Sequence, residues 1–170
     1  MRFIMPPVSG AAGIRATSAT APTHEEDGME LLEHVNWIAI VVCVVAAMAL
    51  GFVWYGPLFG KLWLELMGWG NKNEAELKEM QSKAMPGYAV MAVGAAIMAL
   101  VLHAVLHATA ATTVAAAATV AAVLWLGFVA TSTLGTAMFS DTDKRLWALT
   151  EGYVLVQMVV FAVILTLMAA

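Results

Sequence analysis

"AMPGYAVMAVGAAIMALVLHAVLHATAATTVAAAATVAAVLWLGFVATSTLGTAMFS", Ala84 to Ser140, contains no Asp, Glu, Lys or Arg. Wound as one α-helix it would run roughly 85 Å at about 1.5 Å per residue, against a hydrocarbon core about 30 Å thick. A run this long has to fold back on itself. Its least apolar stretch is "HATAATT", His107 to Thr113, so the sequence predicts a tight turn there and spans over 86–107 and 113–138. Strands are excluded because the apolar run is continuous, not alternating. In lipid, backbone groups must be satisfied inside a helix or a closed barrel.

Two further spans follow from the same reasoning. Asn36 to Gly60 also lacks the four charged residue types, and a helix over 36–55 is about 30 Å long. The last span runs over 147–168, with Glu151 and Gln157 its only strongly polar interruptions. The fold class is therefore an all-α, four-transmembrane-helix bundle. Composition agrees: 62% of the 170 residues are hydrophobic and 12% charged, where soluble domains carry about 25% charged residues. The lipid bilayer is the expected partner. A net charge of −4 speaks against nucleic acid, which calls for a basic patch. The single cysteine, Cys43, excludes an intramolecular disulfide framework.

Residues 1–28 differ in composition from the membrane domain, 29–170. They are rich in Ala, Thr, Ser, Gly and Pro and turn acidic at Glu25, Glu26 and Asp27. A signal peptide would need an apolar segment of roughly 7–15 residues, and Pro6 and Pro7 break the only candidate. Arg2 and Arg15 leave a transit peptide open. The expectation is a disordered leader, or an over-extended start with Met29 as the initiator.

Orientation comes from the basic residues. Lys61, Lys72, Lys78 and Lys83 lie between the first two spans, and Lys144 and Arg145 between the last two. The middle turn and the C-terminus have none. The positive-inside rule places both charged loops in the cytoplasm and both termini outside, with the cell membrane as the expected location.

In the first charged loop, "GFVWYGPLFGKLW" (Gly51 to Trp63) carries the expected interfacial anchors Trp54, Tyr55, Pro57, Phe59 and Trp63. Gly56-Pro57 is expected to end the first helix, since proline lacks the N–H and disfavours helix at the preceding residue. Leu58, Phe59, Leu62, Trp63, Leu66 and Met67 then recur at helical spacing. They predict a short amphipathic helix on the membrane surface, stopped by Gly68 and Gly70. Asn73 with Glu76 reads as a capping box for a polar helix to Ala84, carrying the i,i+4 pairs Glu74–Lys78 and Glu79–Lys83.

These elements carry a family resemblance. "NW" at Asn36-Trp37, "WYGPLFGKLW" from Trp54 with the following "LMG", and "GFVATSTL" from Gly127 before "GYVLV" from Gly152 resemble the DUF1761 family of small membrane proteins of uncharacterised function. The resemblance spans Val35 to the C-terminus and implies a four-helix membrane protein. It carries over no functional residues.

Three groups of residues could bear chemistry. Glu151 is the one acid inside a span, and intramembrane carboxylates often mark ion or proton routes. Tyr153, Gln157 and Thr131 are expected to extend from it as a polar track. The plainer account is a carboxyl reaching the headgroups or pairing with Lys144 or Arg145. His103 and His107 sit four residues apart on one helix face, the spacing by which two imidazoles share a metal, and His34 precedes the first span. The plainer account there is interfacial hydrogen bonding. Gly127, Thr131 and Gly135 on the third span, with Ala47 and Gly51 on the first, have the four-residue spacing of close helix packing, within the chain or in a homo-oligomer. No nucleophile–base pair, phosphate loop or carboxylate dyad is present, and no cofactor is expected. The expectation is a non-enzymatic bundle that binds or passes a small solute or ion. The alternatives are a structural or interaction protein acting through helix packing and the interfacial helix, or a metal or haem carrier built on the histidines.

Overall fold

The computed structural model describes residues 35–140 and 142–169; the leader and His34 lie outside these. The described residues form six helices and no strand. They are α1 (Trp37–Leu58), α2 (Gly60–Leu66), α3 (Glu74–Lys83), α4 (Met85–Ala108), α5 (Val114–Phe139) and α6 (Lys144–Met168). α1, α4, α5 and α6 are long and apolar enough to cross a membrane. Each matches one of the four spans expected from the sequence to within a few residues.

Local chemistry sets the helix ends. Asn36 caps α1 by accepting from Ala39 N at 3.1 Å. Asn73 and Glu76 form the reciprocal capping box at 2.9 Å in each direction. Thr113 caps α5 by accepting from Ala116 N, and Asp143 caps α6 by accepting from Arg145 N. Between α4 and α5 the chain reverses at Ala110, which takes a positive φ of 49°. Of the two i,i+4 pairs expected on α3, Lys83–Glu79 closes at 2.7 Å. It is solvent-exposed, so it contributes little.

The first helix does not end at Gly56-Pro57. It winds on to Leu58 through a π-helical turn, Trp54–Leu58, in which Phe59 N donates to Trp54 O at 2.9 Å. In a regular α-helix the Pro57 ring would strike the carbonyl four residues back. Widening the turn by one residue relieves that collision. The chain breaks at Phe59 (φ −124°, ψ 5°) and re-enters helix at Gly60, where a Cβ would sit 2.7 Å from Tyr55 O. Only glycine permits so tight a return. Gly68, at φ +72°, then ends the segment, as expected.

The α6 helix is the axis of the bundle, packing against α1, α4 and α5. More of it is buried than of the other three spans. The core where these helices meet is built largely of alanine (Ala39, Ala47, Ala95, Ala99, Ala117, Ala121, Ala162), with Phe161 and Leu102 as the largest side chains enclosed. The larger residues Val41, Val45, Phe52, Ile97, Val101, Val123 and Phe128 face outward. Small residues inside and large apolar ones outside is the packing that lipid favours, because helices there gain from close backbone approach and not from hiding leucine.

Candidate functional site

Glu151, Tyr153 and Gln157 are all buried, at 8%, 6% and 7% exposure. They do not form one track. At 3.6 residues per turn, Tyr153 and Gln157 share a face of α6, while Glu151 points about 200° away from Tyr153. Tyr153 turns towards α1, where its hydroxyl donates to Ala47 O at 3.2 Å. Glu151 points the other way on α6: Thr133 of α5 lies beside its carboxyl, and Tyr55 of α1 is also near it.

Thr131 does not join them. It is exposed, and its hydroxyl donates to Gly127 O in its own helix at 2.7 Å. The reason lies in α5, where Trp125–Ala130 forms a second π-helical turn. Such a turn disturbs the regular pairing of carbonyls. Thr131, Ser132 and Thr133 answer by donating to Gly127, Phe128 and Val129 carbonyls. The hydroxyls of "TST" therefore serve the backbone first. Thr133 alone is half-buried, and it also accepts from Trp147 Nε1 at 3.0 Å.

Around Glu151 the structure adds Trp125, which the sequence did not single out, and gives Trp54 an acceptor on α6. Trp125 Nε1 donates to Glu151 O at 3.0 Å from the α5 side. Trp54 Nε1 donates to Leu149 O at 3.2 Å from the α1 side. Two indoles thus grip carbonyls two residues apart on α6 from different sides. The available signal was that a tryptophan inside a span needs an acceptor for its N–H. Glu151 Oε2 is fully buried and has no hydrogen-bond partner among the described residues.

Of the expected interfacial anchors, Trp54 and Tyr55 are half-buried against α6. Tyr55 and Trp54 pack on Tyr153 at ring distances of 5.3 and 6.2 Å. The cluster continues from Trp54 to Phe59 and from Tyr55 through Trp63 to Trp69. Pro57 is exposed within the π turn. Aromatic rings bury large areas in favourable edge-on pairs, and the charged-loop end of α6 supplies the surface for them.

The small-residue positions divide. Ala47 is buried, and Gly51 lies under Tyr153, where a Cβ would be 3.4 Å from the hydroxyl. That pair packs α1 on α6. The stripe Gly127, Thr131 and Gly135 is exposed, and a Cβ at either glycine meets nothing within 4 Å. It is not a packing face within the protomer, because α5 turns Ala117, Ala121 and Ala130 inward instead.

His103 and His107 line a cleft of about 310 Å³ at the opposite end of the bundle from the charged loops, with Asn36, Ala39, Leu165, Met168 and Ala169. The Asn36 amide spans it, donating to Met168 O at 2.9 Å. His34 lies outside the described residues. Among the described residues no three His, Cys, Asp or Glu side chains are grouped as metal ligands.

Four apolar spans around a core of small residues, with a carboxyl group enclosed between two of them, define a multi-pass helical membrane protein. Residues 38–166 match the model of the family described as "protein of unknown function (DUF1761)", and the chain belongs to that family. No curated protein and no solved structure matches it.

Proposed function

We propose that the protein is a non-enzymatic membrane bundle that binds or passes a proton or small cation, with Glu151 as the binding group. The observation that carries this reading is the buried, unpartnered Oε2 of Glu151 between α5 and α6. An ionised acid costs on the order of 2.5–3.5 kcal/mol at mid-span on the insertion scale, and less towards the charged-loop end of the helix, where Glu151 sits. A proton or cation at the free oxygen offsets that cost. Thr133 and Trp147 shape the α5 side of the site, and Trp125 fixes the backbone of Glu151 itself.

In this reading the bundle sits in the cell membrane, with the Lys61–Lys83 and Lys144–Arg145 loops in the cytoplasm. The test is reconstitution of the full chain in liposomes with an imposed proton, Na⁺ or K⁺ gradient. Wild-type protein should dissipate at least one gradient faster than empty liposomes or bind the ion stoichiometrically, and Glu151→Gln should abolish the effect. Wild-type protein that neither moves nor binds any of the three would end this proposal. Impermeant labelling of cysteines placed at Lys72 and Lys144 reports the topology; labelling from opposite sides contradicts it.

A second reading, an interaction protein, is favoured by the bare Gly127–Thr131–Gly135 stripe. A second copy on that face would cross-link through cysteine at Thr131 in native membranes.

A further inference from the structure

We propose that the cleft lined by His103 and His107 is a two-imidazole site for a single borderline transition-metal ion, with Cu²⁺ bound most tightly and Zn²⁺ next. The site is separate from Glu151 and independent of its role.

Packing decides where these imidazoles stand. Ala95, Ala99, Leu102 and Leu106 form the buried face of α4. His103 and His107 lie beside that face, half-buried and exposed respectively, and both reach the cleft. Residues four apart on a helix have Cβ atoms about 5–6 Å apart. Two imidazoles so placed can converge on one ion at about 2.0–2.1 Å per Zn–N bond.

The facing wall is also built. Asn36 Oδ1 accepts from Ala39 N and its Nδ2 donates to Met168 O, which ties the start of α1 to the end of α6. An amide oxygen has two lone pairs, so Oδ1 keeps one after capping the helix. Leu165 and Met168 make the remaining wall apolar. Two neutral nitrogens and a carbonyl-type oxygen suit copper and zinc. Ca²⁺ takes six to eight oxygen ligands and Mg²⁺ an octahedron of them, which the described residues of this cleft do not offer. The cleft is large enough to leave water in the other coordination positions.

The test uses the full chain, purified in detergent with a histidine-free affinity tag and titrated with Cu²⁺, then Zn²⁺, with Mg²⁺ as control. About one equivalent of Cu²⁺ should bind, with the nitrogen hyperfine pattern of two imidazoles in its EPR spectrum. His103→Ala and His107→Ala should each weaken binding on the order of tenfold or more, and the double variant should lose the signal. His103→Gln and His107→Gln, which keep polarity at the cleft, guard against misfolding; each is used with unchanged helical circular dichroism and elution volume. His34→Ala tests a third imidazole and should leave the two-nitrogen pattern in place. Cu²⁺ binding that survives in His103→Gln/His107→Gln, or absence of binding in well-folded wild-type protein, overturns the proposal. Glu151→Gln should leave Cu²⁺ affinity unchanged, so this site and the intramembrane carboxyl can fail separately.

Discussion

The Tyr153 hydroxyl donates to the main-chain carbonyl of Ala47 across 106 residues of sequence, in a buried contact of 3.2 Å. It joins the central helix to α1 one turn before Gly51, whose missing side chain gives the ring its room. Removing the hydroxyl in Tyr153→Phe should cost about 0.6 kcal/mol, the average for an interhelical hydrogen bond in a membrane protein. Gly51→Ala places a Cβ in ordinary contact at 3.4 Å and should be tolerated. Gly51→Leu should cost about 1–3 kcal/mol by overpacking. Unfolding in mixed micelles under increasing SDS checks all three.

Thr133 and Thr131 are two residues apart and should respond to a very different extent. Thr133→Val removes the acceptor of Trp147 Nε1 and leaves that indole unpaired, a loss of about 1–3 kcal/mol. Thr131→Val removes only a bond back to its own helix and should change stability by less than about 0.5 kcal/mol. The same SDS titration separates them; equal effects would contradict the assignment of Thr133 to the interior.

Gly60 is the sharpest steric test. A Cβ 2.7 Å from Tyr55 O has no room while the π turn stands, so Gly60→Ala should destabilise by about 1–3 kcal/mol. At Gly56 nothing lies within 4 Å of a Cβ, so Gly56→Ala should be neutral or mildly stabilising. Thermal aggregation of the detergent-solubilised protein ranks the pair.

Asn36 acts at two helix ends at once. Asn36→Ala should cost about 0.5–2 kcal/mol through the lost cap. Because Nδ2 also holds Met168 O, hydrogen exchange should quicken at the start of α1 and at the end of α6 together. Asn36→Asp keeps the cap acceptor without the donor and should loosen only the end of α6.

Trp54 and Trp125 donate to Leu149 and Glu151 carbonyls from different helices. The carbonyls they grip are two residues apart on α6, so the two effects should couple. Trp54→Phe and Trp125→Phe combined should depart from the sum of the single losses by about 0.5 kcal/mol or more, read in the same SDS titration.

Spans, turn and the capping box of α3 were legible in the sequence because each depends on neighbours in the chain. Transfer into lipid sums over consecutive residues, so the uncharged runs located α1, α4 and α5, and the apolar run interrupted only by Glu151 and Gln157 located α6, without knowledge of contacts. Capping reaches only three residues ahead, so Asn73 and Glu76 announced their helix outright. Gly56-Pro57 marked the right place but the wrong geometry: one extra residue in the turn accommodates the proline.

Only the tertiary structure decided the rotation of each helix about its own axis. In a water-soluble bundle the polar stripe sets that rotation; here nearly every face is apolar, and the sequence carries little trace of it. Hence Glu151 and Tyr153, both buried, point different ways from α6, Thr133 faces the carboxyl while Thr131 faces away, and two tryptophans turn inward to α6 carbonyls. Small residues packing closely around α6, with indoles finding acceptors in a medium that offers no water, set those angles.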